Sequence, residues 1–101
     1  MTTTIHIKEH FGGLCANGDK ALSFLDKEIM PLLESGEDII FDFADVRNMN
    51  SSFSNALFSN LIMRNGESIL RKIKFKNCKE NIKSIINAAL SYGLSKKKNM
   101  F

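Results

Sequence analysis

Short apolar runs of strand length alternate along this chain with longer segments of helical periodicity, and that alternation restricts the fold to a sheet layered with helices. The stretch "TTTIHIK" is rich in β-branched residues and puts Ile5 and Ile7 on one side, which predicts a strand over about Thr3 to Lys8 before "FGG" breaks it. From Asn17 the period changes: Leu22, Leu25, Ile29 and Leu32/Leu33 form one stripe, Asp19 suits a positive helix start, and Gly36 is a natural stop. Pro31 has no amide hydrogen to donate, so a kink or a helical restart is expected beside it. "DIIFDF", residues 38–43, is too short for a helix and reads as a central strand covered on both faces. Its Asp42 then needs a partner or a position near the strand end.

Phe53, Leu57 and Leu61, with Ala56 and Phe58 beside them, predict a second helix that begins near Ser52 and ends near Asn65-Gly66. "RKIKFKN" alternates, with Ile73 and Phe75 inward and Lys72, Lys74 and Lys76 outward, as in a strand with one wet face near a sheet edge. Ile82, Ile85, Ile86 and Ala89 then give a third helical stripe with Lys79, Lys83 and Asn87 outside. The order strand, helix, strand, helix, strand, helix predicts an α/β layer with a mixed or mostly parallel sheet. Ile40, Leu57, Leu61, Ile85 and Ile86 are expected to meet in its core. The 101 residues, 44% of them hydrophobic, suffice for one such domain, over residues 1–95, with residues 96–101 as a flexible basic tail.

No apolar stretch approaches the roughly 20 residues that span a bilayer, and "MTTTIHIKEH" lacks the apolar core of a signal peptide, which predicts a cytoplasmic protein. Cys15 and Cys78 have no Cys or His at ligand spacing and read as free thiols. Charge is divided along the chain: residues 1–50 carry four Lys/Arg against nine Asp/Glu, and residues 51–101 carry ten against two. If the halves occupy different faces, the surface is dipolar and steers partners.

One apparent metal motif is set aside on geometry. "HIKEH", His6 to His10, matches a zinc-peptidase pattern that works on a helix. On the expected strand, four residues span about 13 Å, too far for both rings to hold one ion. The phosphate-cradling and nucleophile-elbow motifs are absent, and both histidines fall in the first ten residues. No enzyme activity, metal or cofactor is expected. What remains is "NSSF", residues 50–53, where the central strand hands over to a helix. A phosphate at such a start is stabilised by free amide groups and the helix dipole, so Ser51 and Ser52 are candidate phosphorylation sites. Asn50 or Ser51 serves equally well as an ordinary N-cap, and both readings stand.

The hydrophobic strand, the "DFADV" turn, the "NSSF" helix start and the terminal "KFKNCKENIKSIINAAL" resemble the STAS-like proteins of unknown function, relatives of the STAS domains of bacterial anti-sigma factor antagonists. In those antagonists an Asp-containing turn leads to Asp-Ser-Ser-Gly at a helix start, and the second serine is phosphorylated by a partner with a GHKL-type ATP-binding fold. Position by position, Asp45 and Val46 match the turn, Asn50 the motif's Asp, Ser51 and Ser52 its serines, and Phe53 its Gly. The resemblance implies a single STAS-like domain that regulates by binding another protein, with Ser52 as the switch. Asp45, Asn48, Asn50, Ser54, Asn55, Ser59 and Arg64 would form the docking surface. The implied partner is a kinase-like regulator, and ATP belongs to it. The alternative is a small basic nucleic-acid-binding domain using Arg71, Lys72, Lys74, Lys76, Lys79 and Lys83, although its lysine face lacks the aromatic residues on which bases stack.

Overall fold

The structure, a computed structural model, describes residues 1–98. Strand β1 (Thr2–His6) runs directly into a short helix, α1 (Ile7–Phe11), which Gly12 ends at φ +79. After β2 (Leu14–Cys15), Asn17 caps the next helix by accepting the Lys20 amide hydrogen at 3.0 Å. This helix, α2 over residues 18–34, consists of an α segment Gly18–Phe24, a π turn Leu25–Ile29 and a second α segment Met30–Glu34. The π turn lies directly before Pro31, the residue that cannot donate, and regular helix resumes with Pro31 in its first turn. At the far end Gly36, at φ +87, donates to the Leu33 carbonyl and Glu37 to the Leu32 carbonyl, both at 3.0 Å, the paired bonds of a Schellman stop.

Strand β3 (Asp38–Asp42) is followed by β4 (Asn48–Met49) and by helix α3 over residues 51–65, which again contains a π turn, Asn55–Ser59. A 3-10 turn (Glu67–Arg71) leads to β5 (Ile73–Lys76), and α4 (Glu80–Lys98) closes the described chain. The main sheet has the order β1-β3-β5 and is wholly parallel. A separate parallel ladder joins β2 to β4. Helix α4 runs through Lys98, and residues 99–101 of the expected tail over 96–101 lie outside the described residues.

Alternation along the strands decides which face is dry. Ile39 and Phe41 lie beside Ile73 and Phe75 in the register, and Ile5 beside Phe41. Their face joins Leu25, Ile29, Leu57, Leu61, Ile82 and Ile86 in a single buried cluster, so the helices cover that side. The other side is open. There Ile40 stands between Thr4 and Lys74, and it is only half-buried. The expectation that β3 is covered on both faces is therefore corrected, and with it the place of Ile40 in the core. Leu57, Leu61 and Ile86 are buried together as expected, whereas Ile85 packs against the cluster at its margin.

Asp42 points to the open side, yet only 6% of it is exposed. Its Oδ1 accepts hydrogen bonds from Asn77 Nδ2 and from the Ala44 backbone N–H, each at 2.9 Å, and His6 Nδ1 lies 3.3 Å from Oδ2. One carboxylate thus ties together the C-terminal ends of all three strands. These hydrogen bonds, Asn77 foremost, outweigh burial and hold Asp42 below the usual carboxylate range. A group whose folded pKa is depressed contributes stability that is complete above the unfolded value of about 3.9 and is lost as pH falls through the folded value. Asp42→Asn should therefore be less stable than the parent at pH 6, with the gap in urea midpoint closing as pH drops below about 4. A gap that stays constant down to pH 2 would remove Asp42 from the acid transition.

Candidate functional site

The chain leaves β3 through a tight turn in which the Val46 amide donates to the Phe43 carbonyl at 3.0 Å and Asp45 takes φ +64. Asp tolerates this left-handed conformation better than most residues, which accounts for it at the turn. Asp45 is exposed there. Next, β4 pairs with β2, and the Asn50 amide continues the ladder by donating to the Cys15 carbonyl at 3.0 Å. Asn48 is exposed, but its Oδ1 accepts from the Met49 amide at 2.9 Å and from Asn81 Nδ2 at 3.3 Å, which binds the loop to α4.

Asn50 resolves which residue caps α3. Its Oδ1 accepts the Phe53 amide hydrogen at 2.9 Å, and its Nδ2 donates to the Ala16 carbonyl at 3.1 Å. The same side chain therefore caps α3 and fastens it to the loop before α2. Ser51 and Ser52 follow on the exposed first turn, and among the described residues neither hydroxyl makes a hydrogen bond. Both are free of capping duty.

The starts of α2 and α3 meet at this point. A Cβ added to Gly18 would lie 3.0 Å from the Ser52 carbonyl oxygen, so the glycine lets the two turns approach closely without crowding. Between them opens a recess of about 460 Å³ lined by Ala16, Asn17, Gly18, Asp19 and Ser52. Two sets of unpaired amide groups thus lie near a free serine, while Asp19 contributes negative charge beside it. Sequence reasoning identified Asn17 and Asp19 only as parts of a helix start. Their proximity to Ser52 is a long-range contact with no local signature.

Two expected surface residues are corrected. Ser54 is 1% exposed, with its hydroxyl donated to the Ser51 carbonyl, and Ser59 is 2% exposed, with its hydroxyl 2.7 Å from the Ala89 carbonyl. Their polar groups are satisfied by helix carbonyls, which lets α3 bury them. Asn55 is half-buried and takes a second contact from Ser59 at 3.0 Å through its Oδ1. Arg64 is exposed and paired with Asp26 across to α2. It stands at the other end of α3 from the serines. The exposed residues grouped about the helix start are Asp45, Asn48, Asn50, Ser51 and Ser52.

The remaining chemistry is dispersed. β1 ends at His6 and the chain becomes helical at Ile7, which corrects the expected strand through Lys8 and the geometric reason for setting aside the zinc pattern. The two rings go to different partners: His6 faces Asp42, and His10 lies against Phe24 with centroids 4.7 Å apart. Among the described residues no three His, Cys, Asp or Glu side chains gather as a metal site. Cys15 and Cys78 are free, and burial pushes the Cys15 thiol up to about 11, away from thiolate chemistry. Lys74 and Lys76 line the open sheet face, but Phe75 turns into the core and stacks on Phe41 at 5.6 Å. No helix of the described residues is long and apolar enough to cross a membrane.

A family model described as a STAS-like domain of unknown function (DUF4325) matches residues 20–83. The match begins within the first turns of α2, contains the whole segment from β3 through α3 and β5, and ends in the first turn of α4. No curated protein and no solved structure matches the chain.

Proposed function

Because this chain belongs to the STAS-like domain family, we propose that it is a regulatory domain that acts by binding another protein, with Ser52 as a phosphorylatable switch at the contact. STAS-like domains are generally non-catalytic, and the scattered titratable groups fit that role. The observation that carries the reading is the division of labour at residues 50–52: Asn50 caps α3, which leaves the Ser52 hydroxyl exposed and unbonded beside the start of a second helix. The docking surface is the exposed group Asp45, Asn48, Asn50, Ser51 and Ser52, with Asn55 at its margin. A phosphoryl group added there brings about two negative charges to a surface that presents Asn48, Asn50 and two serines, with Asp45 and Asp19 as its existing carboxylates. The partner is a kinase-like regulator with a GHKL-type ATP-binding fold, which supplies the nucleotide.

Two substitutions test the switch. Ser52→Ala removes a hydroxyl with no partner and should leave stability within about 0.5 kcal/mol of the parent, with partner recovery retained. Ser52→Asp should fold equally well, since a carboxylate is tolerated at a helix start, but should recover the partner poorly. Thermal melts, recovery of binding proteins from cell extract, and mass spectrometry of residues 51–52 on the protein isolated from cells make the comparison. Equal recovery with Ala, Asp and parent would end the switch reading.

A further inference from the structure

Beside the Ser52 recess lies a second feature that the switch does not use. It is a surface cleft of about 250 Å³ floored by aromatic rings, with Lys20 and Lys27 at its rim. His10 and Phe11 come from α1 and Phe24 from α2. Phe24 lies 4.7 Å from His10 and 5.2 Å, edge to face, from Phe11. Phe11 and Phe24 are only half-buried although they pack on the core, so the cleft exposes part of each ring. Among the described residues neither lysine has a carboxylate within ion-pair distance, and Glu28 is the one acidic residue lining the cleft. Among the described residues the cleft therefore combines an aromatic floor with two lysines outside any ion pair and a single glutamate, Glu28.

We propose that this cleft receives one aromatic side chain of the protein partner, presented between acidic residues. The inference rests on the protein-binding reading above. Size argues for a single ring, because the cleft is smaller than the roughly 300–1,000 Å³ of small-molecule sites. The floor offers the edge-to-face arrangements that aromatic rings prefer, and buried aromatic anchors dominate many protein interfaces. Charge complementarity sets the flanking residues: Lys20 and Lys27 attract carboxylates on either side of the ring. Position ties the cleft to the switch. Lys20, which lines the cleft, follows Asp19, which lines the recess, in the first turn of α2, and beneath the surface Phe11 packs edge to face on the buried Phe53 at 4.7 Å. A partner that covers Ser52 therefore has this cleft within reach of the same surface.

The test titrates isotope-labelled protein with acetyl-Glu-Phe-Glu-amide and follows amide resonances. The expected result is saturable shifts at Phe11, Lys20, Phe24 and Lys27. The peptides Glu-Ala-Glu and Lys-Phe-Lys should bind about tenfold more weakly, since each lacks one of the two features. The double variant Lys20→Glu with Lys27→Glu keeps the rings and should lose the response while melting like the parent. Absence of saturable shifts in the cleft, or an equal response to Glu-Ala-Glu, overturns the proposal. So does equally tight binding of phenylacetate alone, which would assign the cleft to small aromatic acids. The outcome is separable from the switch: if the cleft fails while Ser52→Asp still loses the partner, only the anchor is lost.

Discussion

Phe58→Ala should lower the unfolding free energy by about 3–5 kcal/mol, read as a fall in urea midpoint. Phe58 is fully buried in the π turn of α3, and its ring is the point where that helix meets the sheet. The centroid of Phe41 lies 5.2 Å away in an edge-to-face contact, that of Phe75 lies 5.3 Å away, and that of Phe43 6.2 Å. Truncation removes a large apolar area and leaves a cavity whose walls are two strands and a helix, none of which can collapse freely. Against the 5–15 kcal/mol typical of whole domains, that loss is a large share, and part of the population should be unfolded at 37 °C. A change below about 1 kcal/mol would mean that the aromatic cluster is looser than its geometry indicates.

Gly93→Val should also destabilise, by about 1–3 kcal/mol or more, although glycine is normally a poor helix residue. A Cβ at position 93 would lie 2.8 Å from the Ser59 carbonyl oxygen, 3.0 Å from Ile62 Cβ and 3.1 Å from Ser59 Cα. Two of these three neighbours are backbone atoms of α3, so relief requires the helices to separate. Separation would in turn strain the 2.7 Å hydrogen bond from the Ser59 hydroxyl to the Ala89 carbonyl. Gly93→Ala isolates the balance: helix propensity favours it by up to about 1 kcal/mol, and the close approach opposes it. Net stabilisation by Ala would show that α4 moves aside easily, and thermal melts of the two variants decide the matter.

The features legible in the sequence are those written in local periodicity. β3 and β5, the starts of α2 and α3 and the stop at Gly36 all follow from neighbours within a turn or two, while the cap of α3 is narrowed to Asn50 or Ser51. Features set by distant neighbours were not legible. The run Ile39-Ile40-Phe41 is equally apolar on both faces, and only the register with Thr4 and Lys74 leaves Ile40 on the open side. Ser54 and Ser59 look like surface residues until helix carbonyls satisfy them. The β2–β4 ladder is too short to carry an alternation signal. At the candidate site the serine pair was visible, but the glycine that brings α2 against it was not, because Gly18 and Ser52 are far apart in the chain.

The π turns constrain how the length of this chain can change. In each, one amide bonds five residues back: Met30 to the Leu25 carbonyl, and Asn60 to the Asn55 carbonyl. Each turn therefore holds one residue more than regular α-helix would need. Deleting that residue within 25–29 or 55–59 would close the turn to regular helix and leave the faces on either side in register, whereas a deletion from a regular segment would rotate everything beyond by about 100° relative to everything before. In α3 that rotation would carry Leu61 and Ile62 out of the core while Phe53 stayed in it. The two π turns are therefore the places within α2 and α3 where this chain can lose a residue and keep its core faces aligned.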